Sequence, residues 1–309
     1  MSERHAVFAG LLAIAAGVGN NFILKQLAFL PSSEIAALRS VMMLVFLVPV
    51  RLVTERQHLR WSSRLISRSL CDALATLSLL TALAHLSLSI VATMMMLIPM
   101  GVTAIGAVTR REPATALTAL FIALGFVGAF LATGAKFGSG LTGPDALLGL
   151  SAAGTSVVLY CARDSITRFY MKQDDPVNLM TASSAVTLLV IIPAALLVPW
   201  KPPGIDELML TGMASVLFMF SSVLIATATM YGRLAVIGTT RYTAIIWAAL
   251  IDGLVFRQWP APETFLGAGM IALCGILVGH QLMKRSGACG TLSGPDSHPR
   301  PGGRIGSGK

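Results

Sequence analysis

The sequence predicts an all-α integral membrane protein, built as ten transmembrane helices in two inverted five-helix repeats with both termini in the cytoplasm. Three observations predict it. The 309 residues are 55% hydrophobic and only 12% charged, with a mean hydropathy of +0.76, which leaves too few charged side chains to cover a surface in water. Runs of about 20 apolar residues recur along nearly the whole chain, each long enough to cross a hydrocarbon core of about 30 Å. Two segments 147 residues apart also repeat one another, Gly106-Ala107-Val108-Thr109-Arg110-Arg111-Glu112-Pro113-Ala114 and Gly253-Leu254-Val255-Phe256-Arg257-Gln258-Trp259-Pro260-Ala261. Gly, Val, Arg, Pro and Ala fall in the same places, and Ile90, Thr93 and Gly128 match Ile237, Thr240 and Gly275.

The apolar runs place spans at 6–28, 33–53, 65–86, 88–109, 114–134, 144–164, 177–199, 207–230, 234–256 and 262–283. In lipid the backbone must satisfy its own hydrogen bonds, so these are helices; the alternating ten-residue strands of a membrane barrel are absent. The first run contains Asn20, Asn21 and Lys25 and lacks a small-residue cleavage site, so it reads as a span and not as a secretory signal. The fourth carries Met94, Met95 and Met96 just before Pro99, a break point or adaptable surface. The sequence divides into a first repeat over 1–138, a second over 139–285, and a Gly-, Pro- and Ser-rich tail over 286–309 that should be disordered. The four cysteines are scattered without CxxC spacing and read as buried thiols.

The formal charge of +9 is topological. With the N-terminus in the cytoplasm, 17 Lys and Arg fall on that side and 3 (Lys136, Lys201 and Arg257) on the other, with Lys25, Arg39 and Arg241 inside spans. This is the pattern the positive-inside bias produces, and it gives no reason to invoke a nucleic acid. Two tandem units of five spans insert with opposite orientation, which relates them by a two-fold axis in the membrane plane. Gly10 with Gly149 and Pro49 with Pro193 are further weak matches between the halves. Inverted repeats place a cargo site near the midplane.

Asn20-Asn21-Phe22-Ile23-Leu24-Lys25, then Pro31, then Ala36-Ala37-Leu38-Arg39, followed by Pro99 and Glu112-Pro113, and later by Trp247-Ala248-Ala249, Gly267-Ala268 and Gly275, resemble the ten-helix EamA-type carriers of the drug/metabolite transporter superfamily. The resemblance covers about residues 6–283 and rests on order and spacing more than on any one motif. Gln258 stands where the pattern expects an acid, and Phe121 where it often has Gly. The resemblance implies a secondary carrier in the inner membrane working by alternating access. Exporters of amino acids or amino-acid-derived compounds are the leading expectation, importers of vitamins or nucleoside-like compounds the next, and a non-transporting scaffold or lipid-handling protein the alternative of another class.

Charge within spans selects the candidate site residues, because each buried Lys or Arg costs roughly 2.5–3.5 kcal/mol at a helix centre unless it finds a partner or water. Gly17, Asn21 and Lys25 share a face of the first helix, so Asn20, Asn21 and Lys25 are candidates to grip cargo; Lys25 could instead snorkel or pair with Glu34. Arg241 is present in the second repeat only, its counterpart being Met94, and is a candidate for cargo binding or gating. Tyr160 and Trp247 complete the cargo candidates. Arg39, Arg163, Asp164 and Asp252 are candidates for gating or internal ion pairs, Asp252 sharing a helix face with Arg241 three turns away. Asp72, one turn from Arg68, reads as its local partner.

Absences narrow the function further. The sequence has no GxxxxGK[ST] loop, no HExxH, no nucleophile elbow and no paired catalytic carboxylates, so neither an ATPase nor an enzyme is expected, and no cofactor or metal. The embedded charges lean cationic, which favours cargo with a carboxylate or other anionic group. Gly275 and Gly279 form a GxxxG that could serve a homodimer or only a neighbouring helix.

Overall fold

The computed structural model describes residues 3–53, 61–109, 116–138, 144–171, 174–197, 200, 202–231 and 240–290, and these are helices and short connections without strands. Arg110 to Ala114 of the first repeated segment, Arg233, Ile237 and the tail beyond 290 lie outside the described residues. In chain order the helices are α1 (Glu3–Gln26), α2 (Ser32–Val53), α3 (Ser63–His85), α4 (Leu88–Met95), α5 (Ile98–Val108), α6 (Ala116–Gly138), α7 (Pro144–Tyr170), α8 (Pro176–Leu197) and α9 (Ile205–Tyr231), then a 3-10 turn (Arg241–Thr243), α10 (Ala244–Leu254) and α11 (Pro262–Gly290). One boundary differs from the sequence expectation. The last helix runs to Gly290, so residues 286–290, assigned above to the tail, are helical.

Each break has a local cause. The fourth apolar run is split into α4 and α5 at Met96 and Leu97, with Pro99 in the first turn of α5. Proline has no N–H to give the Met95 carbonyl and its ring crowds that position, so one continuous helix is not available there. Ser62 caps α3, its hydroxyl accepting from the Leu65 N–H at 3.2 Å. After α10, Arg257 takes a left-handed φ of 54° and the Gln258 N–H donates to the Asp252 carbonyl at 2.8 Å. The same turn lays the Trp259 ring on Gly253, where any Cβ would sit 2.7 Å from it.

Among the described residues, six stretches are long and apolar enough to cross a membrane: Phe8–Gln26, Ser32–Leu52, Ser63–His85, Leu88–Val108, Pro144–Tyr170 and Ile205–Leu224. Shorter apolar stretches occupy Ala119–Ala132, Val177–Ile191 and Pro262–Val278. The chain is therefore a multi-pass membrane protein. Phe29, Leu52, Val108, Phe130 and Leu266 are exposed apolar side chains of the kind that lipid, not water, accommodates.

The helices pack mainly as α3 on α7, α1 on α9, α6 on α11 and α2 on α8, with further contacts of α3 with α8, α2 with α9, α5 with α7, and α10 with α1 and α4. The main apolar core draws on both halves of the chain, from Val18 to Cys274, and a smaller cluster gathers Leu65, Met171, Leu179 and Ala182. Between helices in lipid, close backbone approach replaces the hydrophobic drive, and small residues permit it. Gly128 and Gly267 meet at the α6–α11 crossing, where a Cβ on Gly128 would lie 2.9 Å from the Gly267 carbonyl oxygen. Gly275 packs against the Tyr242 side chain of the same chain, so that part of the GxxxG serves a neighbouring element.

Candidate functional site

Two polar constellations join the first half of the chain to the second. The larger is centred on Arg163 of α7. Its Nη1 donates to Asp72 Oδ1 of α3 at 2.7 Å, and its Nε and Nη2 donate to Asp164 Oδ1 at 2.9 and 2.7 Å. The guanidinium also lies over the Tyr160 ring, 4.5 Å from its centre. Asp72 thus has Arg163 as its close partner, while Arg68 is a second positive neighbour. The local Arg68–Asp72 pairing expected from the sequence is corrected in this respect. Arg68 turns away to α7 and α8, donating to Thr167 Oγ1 at 3.0 Å, Ser183 Oγ at 2.7 Å and the Leu179 carbonyl at 3.3 Å.

Arg39 of α2 enters the same region. It is 8% exposed, its guanidinium lies 4.2 Å from the centre of the Phe218 ring of α9, and it feels the charges of Asp72 and Arg163 and the Tyr160 phenol. At 1.5 Å per residue, Arg39 is about 10 Å into α2 and Asp72 about 14 Å into α3, so both sit well inside their helices, at mid-depth and not at an end. Three arginines face two aspartates here, which leaves the cluster with one positive charge in excess.

The second constellation sits where α1 ends and α4 begins. Asp252 of α10 is fully buried and accepts from the Ser89 N–H at 2.7 Å, the Ser89 hydroxyl at 2.6 Å and the Leu88 N–H at 3.3 Å. It is the N-terminal cap of α4, whose own Ser87 makes no side-chain cap bond. A carboxylate there also meets the positive end of the helix dipole. Lys25 donates to the Leu86 carbonyl at 2.8 Å, stands 4.0 Å from Asp252 and lies 5.0 Å from the centre of the Phe256 ring. Phe256 in turn meets Phe22 edge-on at 5.8 Å.

The sequence candidates therefore separate. Tyr160, Arg163, Asp164 and Arg39 come together at mid-depth, whereas Lys25 and Asp252 form the end junction. Arg241 belongs to neither: Gly10 of α1 packs on Thr240 beside it, about 22 Å along α1 from Lys25. Asn20 is buried and, with its amide oriented to satisfy both atoms, donates to the Ala214 carbonyl of α9 at 3.0 Å and accepts from the Asn21 N–H at 3.2 Å. That is a tie between α1 and α9. Gly17, on the same helix, admits Ser221, which donates to the Ala13 carbonyl at 2.6 Å. Trp247 lies with Ile246, Leu250 and Leu254 among the exposed apolar residues of α10. The hydroxyls of Ser156 and Ser215 are buried and bond to carbonyls of their own helices. Sequence reasoning missed Ser89, Ser183 and Thr167. The Ser87-Leu88-Ser89 run at a helix start was a signal for the first; nothing local marked the others.

Residues 4–134 match the family model described as the EamA-like transporter family. The matched stretch is less than half of the chain. The matched stretch contributes Arg39, Arg68 and Asp72 to the mid-depth cluster and Lys25, Leu86 and Ser89 to the end junction, whereas Arg163, Thr167, Ser183, Phe218 and Asp252 lie beyond it. A solved crystal structure, described only as that of a protein, is 15% identical, covers 92% of this chain and 99% of its own, and superposes with a TM-score of 0.63. At that identity the likeness concerns the fold, which extends past the EamA-like unit into the second half. No curated protein matches the chain.

Proposed function

We propose that this protein is a secondary carrier of the inner membrane that moves a small polar organic metabolite by alternating access, exporting an amino acid or an amino-acid-derived compound. The observation that carries the reading is the mid-depth cluster of buried Arg39 and Tyr160 with the part-buried Asp72, Arg163 and Asp164, drawn from α2, α3 and α7. Charge at that depth in lipid is expensive and is retained where cargo or ions pass. Its donors come from both halves, so a rocking of one against the other changes its surroundings.

An inverted pair of five-span units, 1–138 and 139–285, is supported by the packing. Counting α4–α5 as one span and the Arg241 turn with α10 as another, exchanging the halves turns α3 on α7 into α1 on α9, and α5 on α7 into α10 on α1. Contacts of α2 with α8, and of α6 with α11, map onto themselves. Pro49 and Pro193 each stand four residues before the end of their helix. In this arrangement, with cytoplasmic termini, Lys25 and Asp252 lock the outer end and Arg241 lies at the inner end as a gating residue. Opening outward requires the Asp252 cap on α4 to loosen.

The test compares small molecules inside and outside cells that overproduce or lack the chain. A compound that accumulates outside only with the protein present identifies an exporter and its cargo. Faster entry of a compound reverses the direction, and no difference across several growth media would overturn the carrier reading.

A further inference from the structure

We infer that Arg39 is the anion-receiving residue of the mid-depth site, holding a carboxylate of the cargo against the edge of its guanidinium while Phe218 covers the guanidinium face. This rests on the carrier reading and specifies the group that the carrier grips. Arg39 is more than nine-tenths buried, yet among the described residues its only close polar or aromatic contact is the Phe218 ring at 4.2 Å. The other buried arginines differ. Arg163 spends its donors on Asp72 and Asp164, and Arg68 spends its own on Thr167, Ser183 and the Leu179 carbonyl.

A guanidinium carries five N–H donors in a rigid plane that matches a carboxylate in bidentate fashion. Stacking on Phe218 occupies the face and leaves the donor edge for a planar acceptor, the geometry in which arginine discriminates an acid from its amide. The surroundings agree in charge. Asp72 is held by Arg163 at 2.7 Å, so that carboxylate is already committed to another arginine. A cargo carboxylate at Arg39 balances the one positive charge by which the three arginines exceed the two aspartates.

The experiment uses the full-length protein purified in micelles and follows its thermal unfolding with each common L-amino acid beside the carboxamide of the same amino acid. At least one acid is expected to raise Tm while its amide does not. Arg39→Gln should abolish that response, Arg39→Lys should weaken the apparent affinity about tenfold or more because the point charge lacks the fork, and Phe218→Ala should weaken it while keeping the charge. Should Arg39→Gln fail to fold, the lysine and Phe218 variants carry the same comparison. An amide as effective as its acid, a wild-type response in Arg39→Gln, or no response to any acid would overturn the assignment. The cell-based comparison separates this from the carrier reading: export of a compound with no carboxylate leaves the carrier standing and removes the role given to Arg39.

Discussion

Asp72 lies one helical turn from Arg68 in sequence, yet its close partner is Arg163, 91 residues away. The reason is geometric, since α3 packs along α7 and brings the Arg163 fork to the carboxylate while Arg68 finds neutral acceptors on α7 and α8. Asp72→Asn leaves Arg163 with Asp164 alone. With both side chains about one-fifth exposed, the expected loss is about 1–3 kcal/mol, below the value for a fully dry pair. Thermal unfolding of Asp72→Asn, Arg163→Gln and the double variant checks it: the double variant should be less destabilised than the sum of the two, and strict additivity would show the residues uncoupled. Arg241→Ala is expected to abolish transport at unchanged membrane abundance; normal transport by that variant removes its gating role.

Elements show the same dependence on distant chain. The eight-residue α4 is too short to be stable alone in water, and its first N–H groups are satisfied by Asp252, 163 residues away. Asp252→Asn keeps the shape but loses the charge, and should cost about 1–2 kcal/mol through the weakened cap. In a background freed of native cysteines, a cysteine at the buried Leu86 position should then react faster with a membrane-impermeant maleimide; an unchanged rate would show that the junction is not a lock. At the α6–α11 crossing, Gly267→Val puts side-chain atoms against the Gly128 carbonyl and Ala132. A loss of about 1–3 kcal/mol is expected from overpacking, read as a lower Tm in micelles, whereas Gly269→Ala on the same helix, where a Cβ meets nothing within 4 Å, should be neutral.

On the scale of the whole molecule, the distribution of Lys and Arg sets the expected orientation. A fluorescent reporter fused to the C-terminus should fluoresce in the cytoplasm and an alkaline phosphatase fused there should be inactive; the reverse pair of results would invert the topology. The helical, membrane-spanning architecture was legible because lipid forces two requirements onto the sequence, apolar length and internally bonded backbone. The Pro99 break was legible for the equally local reason that proline lacks an N–H.

What the amino-acid sequence determined by itself was therefore everything that depends on local composition: the apolar spans, their interruption at Pro99, the cationic excess, and the candidates Lys25, Arg39, Tyr160 and Arg163. Which of them meet was decided only by the tertiary structure. Lys25 and Arg241, which sequence reasoning grouped as cargo contacts, lie some 22 Å apart along α1, and Trp247 is exposed with apolar neighbours. Arg39 comes instead to Phe218, and Asp72 to Arg163. Helical periodicity states the face on which a side chain lies, but the neighbour of that face is set by how helices far apart in sequence pack, and in lipid that packing turns on close approaches such as Gly128 on Gly267.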